Sequence, residues 1–272
     1  NFGFSLEPFR NLEFRWDGSF RKISSASPTF SLDFNDTSSP TGISSEINQF
    51  ESRLCLAYYP KREMTGFGVE RKEKNDSFAR LFAQVTRGDK NWFDSDFDYT
   101  KLQFSYIQPW QVGGFGRLTT SVEAGKTFGE VPLALLSVVP GNQTYFSIYN
   151  TFPQLEFYEF VTDTYTSLHL EHNFNGRIFS RIPFLKKYNL RAVLGLRGVW
   201  GELSDENRLL STTGNPAEIV LRAPDSKIYY EYSVGVANIF KILRIDFNFR
   251  GNYLDLPDAR RFGITGSFGF FF

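Results

Sequence analysis

From Phe262 to the end of the chain, every second residue is Phe262, Ile264, Gly266, Phe268, Phe270 and Phe272. The residues between them are Gly263, Thr265, Ser267, Gly269 and Phe271. A period of two sends successive side chains to opposite faces of a strand. One face is aromatic and apolar, and the other is small or polar. A soluble sandwich would also alternate, but a phenylalanine-rich terminal strand fits the last strand of an outer-membrane barrel. Such a strand pairs laterally to close the barrel, faces lipid, and ends at an aromatic girdle. Phe268, Phe270 and Phe272 are assigned to this barrel-closing strand.

The composition agrees with that reading. Aromatic residues make up 18% of the 272, with 31 Phe, 13 Tyr and 4 Trp, yet mean hydropathy is −0.30. No run approaches the roughly 18 apolar residues of a membrane helix, and Val131–Val139 is interrupted by Pro132 and Ser137. Many aromatics without an apolar run suit a barrel in which only alternate residues meet lipid. Lys+Arg and Asp+Glu balance at 30 each, so the basic excess of a nucleic-acid binder is absent. The single Cys55 excludes an internal disulfide framework and a multi-cysteine metal site, and reads as a small apolar strand residue. Alternation is already under way at Phe2, Phe4 and Leu6, so the sequence is expected to be a mature or partial chain.

Alternating segments recur along the chain. Leu12–Arg21, Phe50–Tyr58, Ala79–Thr86, Lys101–Tyr106 and Arg117–Ala124 read as strands, with shorter ones near Phe30–Phe34 and Phe67–Val69. Five more lie near 165–175, 189–201, 228–238, 242–253 and 259–272. The sharpest is Leu243, Ile245, Phe247, Phe249 against Arg244, Asp246, Asn248, Arg250. No convincing amphipathic helix is present. The expected class is all-β, a transmembrane antiparallel barrel spanning residues 1–272. About 11–13 strands are expected here, of a barrel of about 16. With the C-terminus on the periplasmic side, Asn238–Lys241 and Arg181–Tyr188 become tight periplasmic turns. Glu202–Lys227 and Phe128–Thr164 then lie outside.

The polar faces of these strands gather Arg117, Glu123, His169, Glu171, Arg191, Arg197, Glu231, Arg244, Asp246 and Arg250 on one side, expected to be the lumen. They read as an ion-pair and hydrogen-bond network filling a narrow barrel, or as a polar path. His169 and His172 are three apart on one strand, which points them to opposite faces, a poor geometry for shared metal binding. His169 with Glu171 invites a hydrolase reading, but no nucleophile motif accompanies them. Asp94-Ser95-Asp96-Phe97-Asp98 lacks the spacing and closing glutamate of a calcium loop. No catalytic residue, metal or cofactor is expected.

The connection 128–164 holds many large apolar residues, among them Leu133, Leu135, Tyr145, Phe146, Phe152 and Phe160. Loops of this length are functional or disordered, and this one is too apolar to stay solvated. It is expected either to fold back into the barrel as a plug or to form a docking surface for a partner. In the plug reading Gly141 and Asn142 make the reversal, and Gln143, Tyr145 and Phe146 follow, with Tyr145 inside against Arg197 and Arg244.

Several stretches together resemble a known family. They are Ser95–Tyr99, Ala124–Gly129, Pro140–Phe146, Tyr158–Val161, Leu168–Gly176, Ile182–Lys187 and Val234–Lys241. In this order they are similar to the barrel of a Bacteroidota outer-membrane family of unknown function. Its members carry a carboxypeptidase-regulatory-like domain before the barrel, and the resemblance covers roughly residues 78–272. A remoter similarity is to the BamA-like insertase superfamily, where a long loop also precedes the last five strands. The Arg-Gly-Tyr or Arg-Gly-Phe tip of that loop is missing here, where Gly141–Tyr145 stands instead. The resemblance implies a bacterial outer membrane, contact with its lipid, and protein partners in an envelope complex. The function expected is a non-enzymatic subunit or accessory of protein export, barrel biogenesis or nutrient uptake. A stand-alone transport pore is the alternative, and a hydrolase using His169 and Glu171 is the third reading.

Overall fold

The computed structural model describes residues 1–25, 30–66, 68, 71–214, 219–256 and 259–269. Eleven antiparallel strands follow one another in a single sheet, each beside its sequence neighbour. They are β1 (Phe2–Phe9), β2 (Leu12–Ser24), β3 (Glu46–Tyr58), β4 (Arg80–Gly88), β5 (Tyr99–Gln111) and β6 (Arg117–Phe128), then β7 (Thr164–Asn173), β8 (Arg191–Glu202), β9 (Tyr229–Ile239), β10 (Leu243–Arg250) and β11 (Phe262–Phe268). The sheet is all up-and-down and is not closed: β1 and β11 are its two edges. Among the described residues no helix is long and apolar enough to cross a membrane.

The strand positions agree with the alternation in the sequence, with two differences among the described residues. Phe34–Asn35 pairs only with Ile43–Ser44, as a small ribbon off the main sheet. Phe67 and Val69 lie outside the described residues, as do Phe270 and Phe272. The connection near Arg181–Tyr188 is no tight turn; residues 174–190 include two short 3-10 turns, Phe179–Arg181 and Lys186–Tyr188. The connections 10–11, 112–116 and 240–242 share that end of the sheet. Residues 129–163 and 203–228 connect at the other. β1 and β11 both run from the long-loop end to the short-turn end.

Burial along the strands is inverted relative to a soluble protein. On β9, Tyr230, Tyr232 and Val234 are exposed while Glu231 and Ser233 are buried. On β10, Phe247 is 39% exposed while Asn248 is 0% and Asp246 2% exposed. Leu102, Phe104, Leu194, Leu196, Phe262 and Ile264 extend the exposed apolar face across the sheet. An exposed apolar surface of this extent needs an apolar solvent, and strands of 7–13 residues match the length needed to cross a bilayer. The apolar face is therefore the outer one, suited to lipid, and the polar face is the inner one.

The buried apolar residues lie mostly off the strands. One cluster, with Val131, Leu133, Leu135, Leu136, Val161, Leu203 and Leu221, joins the long loops to Phe97 and Tyr99 at the long-loop end. A second joins Val139, Phe152, Leu155 and Phe160 to Val199 and Tyr229 on the inner face. The loop 129–163 thus supplies much of the core.

Candidate functional site

The root of this loop is fixed by polar contacts. Asp163 accepts from the Ser204 backbone at 2.7 Å and from Asn207 Nδ2 at 3.0 Å. Asn207 Oδ1 in turn accepts the Val131 N–H at 2.8 Å, and Ser211 Oγ that of Leu133 at 2.9 Å. These residues belong to or flank the one short α-helix among the described residues, Asp205–Leu210. Burial raises the Asp163 carboxyl, but the hydrogen bonds from Ser204, Asn207 and Thr164 outweigh it and hold the pKa below the ordinary value.

From that root the loop crosses the inner face. Phe152 N–H donates to Pro140 O at 2.9 Å and Asn142 N–H to Phe152 O at 3.1 Å, closing the base of an excursion through 143–151. Gly141 lies against the Leu155 carbonyl, which a Cβ would meet at 2.5 Å. Ser147 Oγ donates to Thr265 Oγ1 on β11 at 3.0 Å and to Asp246 on β10 at 3.4 Å. Asn150 Nδ2 reaches Ser121 at 3.0 Å and Glu123 at 2.6 Å, both on β6. Positions 147 and 150 are three residues apart, a reach of about 11 Å along the chain. β6 and β11 are five strand spacings apart, about 24 Å if flat. The sheet is therefore curled around the loop.

One row of side chains runs across the inner face from strand to strand: Ser121, His169, Arg197, Glu231, Arg250. The loop engages it repeatedly. Phe152 packs its ring 4.8 Å from His169 and 5.7 Å from Tyr229. Glu231 Oε1 accepts the Gln154 N–H at 3.0 Å and the Tyr229 hydroxyl at 2.6 Å. Arg250 donates to Glu159 at 2.6 Å, with side chains 0% and 6% exposed. Gly263, opposite Asn248, leaves room for Gln154, whose Nε2 would be 2.7 Å from a Cβ there.

A second group lies nearer the short-turn end. Arg244 pairs with Glu171 at 2.7 Å and Asp246 at 2.8 Å. With Arg197, His169 and the loop residues Ser147–Asn150 they line a chamber of about 270 Å³. Arg197 donates to Ser233 at 3.4 Å. Arg117 is paired instead with Asp76 in the connection between β3 and β4, and Arg191 stands opposite Ala237 on β9. His172 is on the outer face, with Nε2 3.0 Å from the Phe115 carbonyl.

The loop differs in detail from the sequence expectation. Asn142 is not the tip: it is 1% exposed and uses its side chain in a local turn, donating to Phe146 O at 2.7 Å and accepting from Thr144 N at 2.9 Å. Gln143 reaches sideways to Glu156 at 3.0 Å. Tyr145 does not pack on Arg197 and Arg244; it is 87% exposed, and Ser147–Asn150 take that place. The reason is a backbone contact. Gly266 N–H donates to Tyr145 O and Ser147 N–H to Gly266 O, both at 2.8 Å, so the segment lies along the edge of β11. That pairing turns Phe146 toward Phe268, ring centroids 6.4 Å apart. Gln154 and Glu159 carry no signal in the sequence because 152–160 mixes polar and apolar residues without a period.

Comparison with known proteins gives a family and a fold. Residues 7–206 match the C-terminal domain of a family of unknown function, DUF5686. No curated protein matches the sequence. Among solved structures, the chain is similar to BamA from Haemophilus ducreyi lacking POTRA domains 1–3. The TM-score is 0.52 at 9% identity, covering 97% of this chain and 53% of that one. The chain thus spans about half of that BamA chain. It also aligns with OccK11 (OpdR) of Pseudomonas aeruginosa, at TM-score 0.34 and 9% identity, covering 98% of this chain and 69% of that one.

Proposed function

We infer that this chain, which belongs to the DUF5686 family of unknown function through that family's C-terminal domain, is the wall and internal plug of a non-enzymatic outer-membrane barrel. In this reading it serves as a subunit or accessory of an envelope assembly for protein export, barrel biogenesis or nutrient uptake. The observation that carries it is the loop 139–160, held on the inner face by Ser147, Asn150, Gln154 and Glu159 while the outer face is bare and apolar. A barrel so filled suits a scaffold or gated element better than an open channel. The BamA fold supports the membrane setting, and a periplasmic carboxypeptidase-regulatory-like domain in a Bacteroidota envelope completes the context expected from the sequence resemblance.

Glu171 and His169 support a structural role in the same way. The carboxylate is bound by Arg244 and the imidazole packs at a tilt against Phe152, which favours a structural role for both. The second reading, a stand-alone pore, draws on the chamber beside the loop tip. One experiment separates the two. The intact protein is purified from native membranes in mild detergent, and the same preparation is reconstituted into planar bilayers. Stoichiometric co-purifying envelope proteins with no steady conductance are the expected result. Steady channels from a preparation free of partners would overturn the subunit reading and establish the pore.

A further inference from the structure

The N-terminal half of the inner face holds a cluster that the plug does not account for. Glu51, 3% exposed, has both oxygens engaged. Oε1 accepts from Arg21 and from the Tyr99 hydroxyl, and Oε2 from Arg53 at 3.1 Å. Asp17 is shared between Arg53 at 3.4 Å and Arg15 at 3.9 Å. Lys101, two strands further along the row from Arg53 through Thr86, donates to the Leu135 carbonyl of the loop at 2.9 Å. Four cations therefore face two carboxylates; Glu51 is already bonded to two arginines and a hydroxyl, and the bond Lys101 makes is to a neutral carbonyl. Arg21, Arg53 and Lys101 line one pocket of about 210 Å³, with Gln84, Thr86 and Gln103 around them and residues 134–136 as its roof.

Half-buried positive charge without a matching carboxylate is unfavourable unless a counter-anion neutralises it. Two guanidinium groups and an ammonium aimed at one polar cavity are the arrangement that holds an oxyanion, through charge-assisted and fork-shaped hydrogen bonds. The cavity has the volume of about seven waters, enough for such a group. We propose that the pocket beneath residues 134–136 binds a small oxyanion, the carboxylate or phosphate group of a solute inside the barrel. Because Lys101 is bonded to Leu135, occupancy of the pocket bears directly on the loop arm. The barrel reading places the pocket in a lumen; anion binding itself needs neither a pore nor a partner.

The test is calorimetric titration of the purified full-length protein in neutral detergent at low salt, with sodium phosphate and, separately, sodium succinate. Saturable single-site binding of either is expected, and the tighter of the two identifies the anion class. Lys101→Met and Arg21→Gln should each weaken it about tenfold. Lys187→Gln, an exposed cation beside Tyr188, should leave it unchanged. If Lys101→Met does not fold, Arg21→Gln decides alone, since that side chain is 44% exposed at the rim and Glu51 keeps Arg53 and Tyr99. No saturable heat with either anion, or equal affinity in Arg21→Gln and the parent, overturns the proposal. Failure here leaves the plug reading standing, and a conducting barrel would leave this site standing.

Discussion

Arg250 on β10 and Glu159 in the loop form a buried ion pair at 2.6 Å, and the same guanidinium donates to the carbonyls of Gln154 at 3.4 Å and Tyr253 at 2.9 Å. One strand residue therefore ties down two points of the inserted loop and the connection after its own strand. Arg250→Met leaves Glu159 charged and unpaired inside, which should cost about 3–5 kcal/mol in a reversible unfolding titration. The double variant with Glu159→Met should recover part of that loss. Additive losses would show that the two groups do not act as a pair.

Gly263 tests the loop by steric means. A Cβ there would stand 2.7 Å from Gln154 Nε2, whereas at Gly266 the nearest atom is the Arg244 carbonyl oxygen at 3.3 Å. Gly263→Val should displace the loop while the strand still pairs. Limited proteolysis of proteoliposomes should then cut within 139–160 faster than in the parent. Unchanged cutting would mean that Gln154 yields and the loop stays.

A disulfide can ask whether the loop holds this position in a membrane. Ser147 Oγ and Thr265 Oγ1 are 3.0 Å apart. In a Cys55→Ala background, Ser147→Cys with Thr265→Cys should oxidise spontaneously and shift gel mobility without reductant. Two free thiols after oxidation in intact cells would place the loop elsewhere.

Phe247, 39% exposed on the outer face, should tolerate leucine, but Phe247→Arg should cost about 2–4 kcal/mol if it lies near the bilayer midplane. The inner neighbour is no neutral control. Asn248 is 0% exposed and donates to Thr265 at 2.9 Å, so an arginine there is overpacked as well. Chemical unfolding in detergent and in bilayers separates the two causes, because only the Phe247 penalty requires lipid.

The loop root carries a pH dependence. Because the Asp163 pKa is lowered in the fold, its ionised form contributes stability that is complete above the unfolded value, about 3.8. That contribution is lost as pH falls through the lower folded value. Between about pH 5 and about pH 3, the parent should lose more melting temperature than Asp163→Asn, with both compared in one detergent. Equal losses would assign the acid sensitivity to other carboxylates.

The wall was legible in the sequence because a lipid-facing strand has one strict rule, apolar out and small or polar in, and that rule sets both its period and its face. It located β7 to β11 closely and put Glu231, Asp246 and Arg250 on the inner side. The loop obeys no such period. Its many apolar residues announced that it must bury against something, yet gave no register. Tyr145 was therefore expected inward, whereas its carbonyl is taken by Gly266 and its ring is exposed. The basic pocket was equally hidden: Arg21, Glu51 and Lys101 are scattered polar positions until strand register sets them side by side.

The two edges of the sheet impose a parity. β1 and β11 point the same way across the membrane, so joining them directly would create a parallel seam in an otherwise antiparallel wall. Bacterial barrels avoid this by having even strand numbers. An antiparallel closure of this sheet therefore needs an odd number of strands between β11 and β1. A second copy would supply an odd number, eleven, but inserted in the same orientation its β1 would meet the first copy's β11 with the same mismatch. Self-association alone is thus a poor way to seal this wall.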